Sequence, residues 1–494
     1  MEPPRRLLTV LAIVVVVAVL VPSVANVSQF RSGPTHSQSA LASAVPANVT
    51  FPVGAGPIGV AYNPVNGLLY VTNFGSSNIS VVNTSTNHVV AWIPMPFGIG
   101  TLAVDSSTGM VYVAETVYRV YAINSSTNQV QWTIPLLAYG CPTGCAPHVQ
   151  VFDPANGDIY VTDLTSDNVT VIHGNAVVAV VPVGAGPNGA AYDPANGKVF
   201  VSNEGNAIPS NMTVINTTIN RVVGQAYPSG GGPGVAYAGS NGDVYACTNG
   251  NQPGISNVVS VVNGTTNEVV ATIPIATGCG SALYDPYNGY VYVTDRYHIG
   301  GQPASNVTVI DPDTNRIVLT QAVQQEPFGS AYDPANHNVY VADLDTNNIT
   351  ILPQIFRLTV HESGLPTGTN WSATVGGTTL SSTNTSITFP ETNGTFPFTV
   401  SNQTNHTACP SSGNVTVAGG PTKLNVTFST SACGGGSSRG LFGFPGVTGY
   451  YIVGGLVALL VAAAVVVVVL TRSKRRAKPS PTTPPPDGAS GQAH

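Results

Sequence analysis

Apolar and polar residues alternate along most of this chain, and one alternating segment recurs seven times between Tyr62 and Asp343. Each copy places a turn of the type Asp-Pro-x-Asn-Gly, or a variant of it, before a short strand-like run, which in most copies consists of Tyr or Phe, Val, and Thr or Ser. Pro holds its φ at about −65° and Asn-Gly readily adopts positive φ, so the motif predicts a tight reversal between two strands. The run after it has the period of two expected of a β-strand.

The seven copies predict seven structural units of one kind. They are YNPVNGLLYVTN (62–73), VDSSTGMVYVAE (104–115), FDPANGDIYVTD (152–163), YDPANGKVFVSN (192–203), YAGSNGDVYACT (237–248), YDPYNGYVYVTD (284–295) and YDPANHNVYVAD (332–343). Successive copies begin 40 to 48 residues apart, the period of a four-stranded propeller blade. Strand-like segments such as 78–84 and 87–95 supply the third and fourth strands. The sequence therefore predicts an all-β fold with a seven-bladed β-propeller over residues 47–353.

The last unit lacks a fourth strand, because residues 354–356 lead directly into a different region. Residues 47–53 have the pattern of a fourth strand but no unit of their own. An open ring would leave unpaired sheet edges. We therefore expect residues 47–53 to pair with residues 348–353 and close the ring.

These repeats resemble the YVTN-repeat β-propellers of archaeal and bacterial surface-layer and secreted proteins. The resemblance covers residues 47–353 and rests on the seven tandem copies. It implies an extracellular propeller. It identifies no substrate, because proteins with this repeat serve varied purposes.

A second module is predicted after the propeller. Residues 356–430 contain six or seven short alternating segments separated by Gly, Pro and Asn turns, which predicts a small β-sandwich. Glu362-Ser363-Gly364-Leu365-Pro366 followed by Trp371 resembles the ESGLP repeat module of archaeal surface proteins, which implies an immunoglobulin-like stalk. Residues 431–446 have the composition of a Gly/Ser linker.

The two ends of the chain predict export and a single membrane span. Residues 1–25 have the pattern of a secretory signal peptide, with an uncleaved anchor as the alternative, and residues 26–46 form a linker. Residues 447–470 are uncharged and long enough for a transmembrane helix. Five basic residues directly follow this span, whereas the stretch from Ala432 up to the span has only Arg439, which predicts a type I protein with a disordered cytoplasmic tail at 471–494.

Composition limits the classes of partner. The chain is 8% charged with a net charge of −6, which gives no reason to expect nucleic-acid binding. Many Asn-x-Ser/Thr sequons precede the predicted span and none follows it, which fits a glycoprotein. The alternative is that this tripeptide is common in any β-protein rich in Asn and Thr. The glycosylation candidates are Asn78, Asn168, Asn306, Asn348 and Asn414.

Six cysteines in an exported chain favour disulfides over a metal site. Fifteen pairings exist, and we favour the local ones, Cys141–Cys145, Cys247–Cys279 and Cys409–Cys433. A zinc site is the weaker alternative, because His148 near Cys145 is the one histidine at ligand spacing from a cysteine pair.

The repeat places one polar residue at the end of each predicted second strand. Aligned, these residues are Asn73, Glu115, Asp163, Asn203, Thr248, Asp295 and Asp343. A ring of carboxylates could bind a basic or sugar ligand, or Ca²⁺, the one cofactor considered; the alternative is that the residues cap their turns. His148 is the most chemically able residue of the inter-blade loops, and the alternative is an ordinary hydrogen-bonded histidine.

No catalytic motif is present, and we predict a protein that is not an enzyme. The predicted function is binding of surface proteins or glycans, in adhesion or surface-layer association. The alternatives are a propeller enzyme of the lactonase or quinoprotein-like type, with a metal at the axis, and a purely structural subunit of a surface coat.

Overall fold

The computed structural model describes residues 48–137, 144–205, 211–248, 256–296 and 304–433. These residues form strands and turns, and none of them lies in a helix that could cross a membrane. The predicted signal peptide, the linker at 26–46, the span at 447–470 and the tail lie outside the described residues, as does the predicted linker at 431–446 from residue 434 onward.

The first 28 strands form seven antiparallel sheets of four strands, numbered sheets 1 to 7 along the chain. Strand β1 (Val49–Pro52) comes first and belongs to sheet 7. Sheet 1 contains β2 (Pro57–Asn63), β3 (Leu68–Asn73), β4 (Asn78–Asn83) and β5 (His88–Pro94). Sheet 2 contains β6 (Ile99–Val104), β7 (Val111–Glu115), β8 (Arg119–Asn124) and β9 (Gln129–Pro135). Sheet 3 contains β10 (Pro147–Asp153), β11 (Asp158–Asp163), β12 (Asn168–His173) and β13 (Ala176–Pro182). Sheets 4 and 5 contain β14 (Pro187–Asp193), β15 (Lys198–Asn203), β16 (Met212–Asn216), β17 (Arg221–Ala226); and β18 (Val235–Ala238), β19 (Asp243–Cys247), β20 (Val258–Asn263), β21 (Val269–Pro274). Sheets 6 and 7 contain β22 (Cys279–Asp285), β23 (Tyr290–Asp295), β24 (Asn306–Asp311), β25 (Arg316–Ala322); and β26 (Pro327–Tyr332), β27 (Val339–Asp343), β28 (Asn348–Leu352).

The first strands of the seven sheets form a closed ring. Each contacts the first strand of the next sheet, and β26 of sheet 7 contacts β2 of sheet 1. Radial sheets around a common axis define a β-propeller. At one end of the ring the first strands begin and the second strands end; we call this end the mouth face. The opposite end, with the Asp-Pro-x-Asn-Gly turns, is the turn face.

The ring is closed by β1, as the sequence predicted. Strand β1 pairs antiparallel with β28, with Val49 opposite Ile351 and Phe51 opposite Ile349. The Phe51 ring is buried against Tyr340, with ring centroids 6.4 Å apart in an edge-on arrangement. The first strand of the described chain thus completes the last sheet of the ring.

Neighbouring sheets are joined through the Tyr and Asn of the repeat. In sheet 3, Asn156 Nδ2 donates to Tyr160 OH (3.2 Å), which itself donates to Asn220 Oδ1 of sheet 4 (2.6 Å). Asn220 has a positive φ of 50° in the turn between β16 and β17. The same link joins Tyr70 to Asn128 and Tyr245 to Asn315. The tyrosine is therefore repeated because it fills the space between sheets and satisfies its hydroxyl in the next one.

The eight remaining strands form two further four-stranded sheets, where the sequence predicted six or seven strands. Their bounds are β29 (Ile355–Ser363), β30 (Trp371–Val375), β31 (Thr378–Ser382), β32 (Ser386–Thr392), β33 (Gly394–Val400), β34 (Thr407–Cys409), β35 (Ser412–Val417) and β36 (Thr422–Ser429). The sheet orders are β32-β29-β36-β34 and β31-β30-β33-β35. One apolar core containing Trp371, Phe389 and Phe428 draws on both sheets, so this region is a β-sandwich.

Two of the three predicted disulfides are confirmed. Cys247–Cys279 joins sheets 5 and 6 with a Cα–Cα distance of 6.1 Å, and Cys409–Cys433 lies in the sandwich with a distance of 5.6 Å. The third prediction involves Cys141, which lies outside the described residues, although its expected partner Cys145 is disulfide-bonded.

The sandwich contacts the turn face of the propeller. Arg357 of β29 donates to Asp311 Oδ1 (2.6 Å) and to Gly289 O (3.1 Å), and its guanidinium lies 4.7 Å from the centroid of the Tyr290 ring. Tyr287 OH donates to Gly419 O of the sandwich (2.7 Å). The mouth face lies at the other end of the propeller sheets.

Candidate functional site at the mouth of the axial channel

An axial channel of about 180 Å³ runs between the first strands. Residues from all seven sheets line it, among them Ile58, Thr101, His148, Ala190, Val235, Ser281 and Phe328. Glycines allow the strands to approach one another so closely. A Cβ at Gly59 would lie 2.9 Å from Thr101 Cα, and one at Gly280 would lie 2.9 Å from Phe328 Cα. The channel is smaller than the roughly 300–1,000 Å³ of typical small-molecule pockets, so it can hold only the end of a larger ligand.

The channel wall is polar on two sides. Thr101 donates to the carbonyl of His148, and Gln150 Nε2 donates to the same carbonyl at 3.0 Å. Across the ring, the hydroxyls of Ser281 and Ser330 are 2.8 Å apart. These groups offer hydroxyl and amide partners to a polar ligand.

His148 lies at the mouth of this channel, in the second position of β10. Its Nδ1 is 3.0 Å from Asn188 O. A carbonyl only accepts, so Nδ1 carries the proton and Nε2 keeps the lone pair. Burial lowers the pKa of His148; the bond to Asn188 opposes this shift, and the charge of Arg296 adds to it. The imidazole is therefore neutral at pH 7, with Nε2 able to accept a hydrogen bond.

Arg296 and Glu204 lie on the mouth face close to the surroundings of His148. The guanidinium of Arg296 lies 4.0 Å from the centroid of the Phe328 ring. Asn188 Nδ2 donates to Glu204 Oε2, while Asn188 Oδ1 is buried without a partner. The mouth thus combines a cation, a carboxylate, a neutral imidazole and an aromatic ring.

Sequence reasoning did not find Arg296 or Glu204. Each directly follows the last residue of a repeat copy, where the other copies have Phe74, Thr116, Leu164, Asn249 and Leu344. The available signal was that this position is charged in only two of seven copies.

The predicted carboxylate ring consists of buried groups. Asp163 and Asp343 each accept from a threonine of the adjacent third strand, Thr170 and Thr350, at 2.6 Å. Asp295 accepts from Thr308 in the same way, at 3.1 and 3.2 Å. All three aspartates are at most 2% exposed.

Burial raises the pKa of Asp163, Asp295 and Asp343 to about 7 in each case, and the threonine bonds only partly oppose the shift. The Oδ1 atoms of Asp163 and Asp343 are buried without a hydrogen-bond partner. Near pH 7 such carboxyls are only partly ionised, which weakens them as ligands for Ca²⁺.

Other ring positions follow the same plan with different groups. Asn73 Nδ2 donates to Ser80 (2.8 Å) and Asn203 Nδ2 donates to Thr213 (2.9 Å). Glu115 departs from it, because Arg119 donates to Glu115 Oε1 at 3.3 Å. Each ring residue thus has a partner in its own sheet. Among the described residues, no group of three or more His, Cys, Asp or Glu could hold a metal ion.

Neither a protein-family model nor a curated protein matches the sequence. Among solved structures, the hydrazine synthase of Kuenenia stuttgartiensis aligns with a TM-score of 0.52 and 17% identity, over 60% of this chain and 96% of that chain. A chain of a mitotic checkpoint complex aligns with a TM-score of 0.52 and 10% identity, over 66% of this chain and 98% of that chain. A streptogramin B lyase aligns with a TM-score of 0.49 and 17% identity, over 62% and 97%.

At these identities the likeness concerns the fold alone. Together with the closed ring of four-stranded sheets, the first two alignments assign the region to the β-propeller class.

Proposed function

We propose that the chain is a membrane-anchored surface protein in which a seven-bladed YVTN-type propeller binds glycans or surface proteins, in adhesion or surface-layer association. An immunoglobulin-like sandwich serves as the stalk. In this proposal residues 1–25 are a signal peptide, residues 447–470 span the membrane and residues 471–494 are cytoplasmic.

The position of the sandwich is the observation that carries the proposal. Arg357 and Gly419 meet the propeller on its turn face, and the proposed span follows the sandwich in the chain. A propeller held in this way presents its mouth face away from the membrane. His148, Glu204 and Arg296 then lie on the surface that first meets material outside the cell.

The chemistry of the mouth favours an acidic sugar. The positive charge of Arg296 favours a ligand carboxylate, and Nε2 of His148 can accept a hydrogen bond from a sugar hydroxyl. Phe328 supplies an apolar face of the kind that sugar-sized ligands contact. The small channel would take the terminal residue of a glycan.

Two experiments test the proposal. Protease added to intact cells should remove the propeller and spare the C-terminal tail; loss of the tail alone would contradict the orientation. The full chain in detergent should then bind uronic-acid oligosaccharides on a glycan array more tightly than their neutral counterparts. Turnover of a lactone, or a stoichiometric metal, would instead favour the enzymatic alternative.

A second candidate function, a structural subunit of a surface coat, is favoured by the outer edge of the propeller. Fourth strands expose apolar side chains there, including Val90 (55%) and Trp92 (51%) on β5, Val178 (53%) on β13 and Val270 (51%) on β21. Exposed apolar edge strands promote association. Sedimentation of the full chain should show concentration-dependent oligomers that a Trp92→Lys substitution abolishes if this function holds; a monomer at all concentrations would contradict it.

A further inference from the structure

The Asn-x-Ser/Thr tripeptide occurs in different structural settings in the propeller and in the sandwich. In the propeller it recurs at the start of the third strand, as Asn78, Asn168, Asn211, Asn306 and Asn348. In the sandwich it occurs at Asn370, Asn384, Asn393, Asn402, Asn405, Asn414 and Asn425. The two groups differ in what the hydroxyl residue of the tripeptide does.

In the third-strand group the hydroxyl is an internal part of the fold. The residues two positions after these asparagines are Ser80, Thr170, Thr213, Thr308 and Thr350, all at most 3% exposed. Every one of them is hydrogen-bonded to the Asp or Asn that ends the second strand. The tripeptide therefore recurs because the sheet needs a buried hydroxyl at this place.

Sheet 5 keeps the hydroxyl without the asparagine, and sheet 2 has neither. In sheet 5, Val258 replaces the asparagine while Ser260 keeps the buried hydroxyl, which accepts from Ser229 N at 3.1 Å. In sheet 2 the second strand ends in Glu115, and the tripeptide is lost altogether, with Arg119 and Tyr121 in its place.

Four other propeller tripeptides form turns between the third and fourth strands. The Oδ1 of Asn83, Asn124, Asn216 and Asn263 accepts the backbone N–H two residues later, at 2.9 to 3.1 Å. Asp311 makes the same bond to Asp313 N in sheet 6 without any tripeptide. This Asx turn accounts for the second recurring set.

The sandwich asparagines have no such common role. All seven are exposed, and none of the hydroxyl residues two positions later is buried. A glycan is bulky and is attached through Nδ2, so it requires a solvent-facing side chain. In the propeller, by contrast, Asn168 Nδ2 donates to Ser166 O (2.7 Å) and Asn348 Nδ2 donates to Gln324 Oε1 (3.2 Å).

We propose that the N-linked glycans of this protein are carried on the sandwich, and that the recurring tripeptides of the propeller serve only as hydrogen-bonding elements. The inference rests on the proposed extracellular location. In the transfer, Asn Nδ2 loses a proton and bonds to the anomeric carbon of a lipid-linked phosphorylated oligosaccharide, and the bond from that carbon to the phosphate oxygen breaks. The sandwich is then glycosylated and the propeller is not.

The test expresses the full chain in a cell with an N-glycosylating secretory pathway and maps glycopeptides by mass spectrometry. Asn414→Gln and its matched partner Thr416→Val should each remove one glycan from the intact mass. Asn168→Gln should remove no glycan, so the intact mass should change only by the substitution itself. Its melting temperature should stay nearly unchanged. Thr170→Val should also remove no glycan but lower the Tm by roughly 3–10 °C, because the buried Asp163 loses its donor.

Glycans on Asn168, Asn306 or Asn348 with a bare sandwich would overturn the inference. So would a chain without any glycan. In that case protease accessibility on intact cells separates the two proposals: an accessible propeller would leave the proposed function standing, and an inaccessible one would contradict it as well.

Discussion

The propeller and the sandwich organise their polar groups in opposite ways. The propeller buries aspartates, asparagines and tyrosines between and within its sheets, as in the pairs Asp163–Thr170 and Tyr160–Asn220. The sandwich is built around one apolar core that includes Trp371 and keeps its asparagines outside. In this repeat fold, therefore, the recurring polar residues serve mainly to form hydrogen bonds within and between the sheets.

The corollary concerns function. The mouth-face residues that follow no repeat are His148, Glu204 and Arg296, whereas the ring aspartates follow it closely. A ligand that binds on the axis meets a different residue from each sheet. Its recognition therefore depends on the residues that differ from the repeat pattern. We infer that the ligand is bound by mouth-face residues that differ from the repeat pattern.

Removing the strand that closes the ring should produce the largest difference between the two regions. Deleting residues 26–53 takes away β1 and leaves β28 and the Tyr340 side of the core exposed. We expect aggregation or a large fall in the Tm of the propeller, whereas the sandwich should keep its hydrogen-exchange protection. Deleting residues 26–44 alone is the matched control and should be tolerated. Equal stability of the two deletions would contradict the role of β1.

Acid should stabilise the propeller. The pKa of Asp163, Asp295 and Asp343 is about 7 in the fold, above the 3.8 of a free aspartate. The folded state therefore binds more protons between these values, and stability rises as pH falls from about 8 toward 4. Each carboxyl contributes at most about 1.4 kcal/mol per pH unit.

Calorimetry from pH 8 to pH 5 checks this slope on the propeller transition. Replacing all three aspartates by Asn should make the slope shallower, since Asn still accepts the threonine hydrogen bond. The slope that remains comes from Asp285, whose pKa burial raises to about 6. The exposed Asp345→Asn is the control and should leave the slope unchanged. A wild-type propeller that loses stability toward pH 5 would refute the burial argument.

A smaller effect is expected at the junction of the two regions. Arg357→Ala leaves the carboxylate of Asp311, 4% exposed, without its guanidinium partner and should cost roughly 3 kcal/mol. Calorimetry should then show the propeller and sandwich transitions further apart than in the wild type. Arg316→Ala, at an exposed site on sheet 6, should have no such effect. An unchanged melting profile for Arg357→Ala would mean that the contact does not couple the two.

Much of the fold was predictable because short sequence patterns determine it. The Asp-Pro-x-Asn-Gly turn and the alternating strand after it gave the units, and the unmatched fourth strand at residues 47–53 gave the pairing with β28. Local spacing also gave the pairs Cys247–Cys279 and Cys409–Cys433. These features depend on residues whose conformation or pattern is visible within one repeat.

The site was less predictable, because it depends on contacts across the ring. The ring aspartates were visible in the alignment, but their burial and their threonine partners depend on strand pairing. The position of Arg296 over Phe328 joins residues 32 apart in different sheets, which no local pattern encodes. His148 was singled out from its chemistry alone, and its bond to Asn188 O comes from the neighbouring sheet.

One comparison of variants tests most directly whether the ligand is bound by the mouth-face residues that differ from the repeat pattern. The affinity of the full chain for a uronic-acid oligosaccharide is measured for Arg296→Ala, for His148→Ala, for the triple Asp163→Asn/Asp295→Asn/Asp343→Asn, and for the exposed control Arg221→Ala. We predict that Arg296→Ala weakens binding at least about tenfold, as expected for loss of a charge-assisted bond of about 1.5–3 kcal/mol, and that His148→Ala weakens it less. The triple variant and the control should bind as the wild type does. Loss of binding in the triple variant with a normal Tm, together with unchanged binding in Arg296→Ala, would contradict the account.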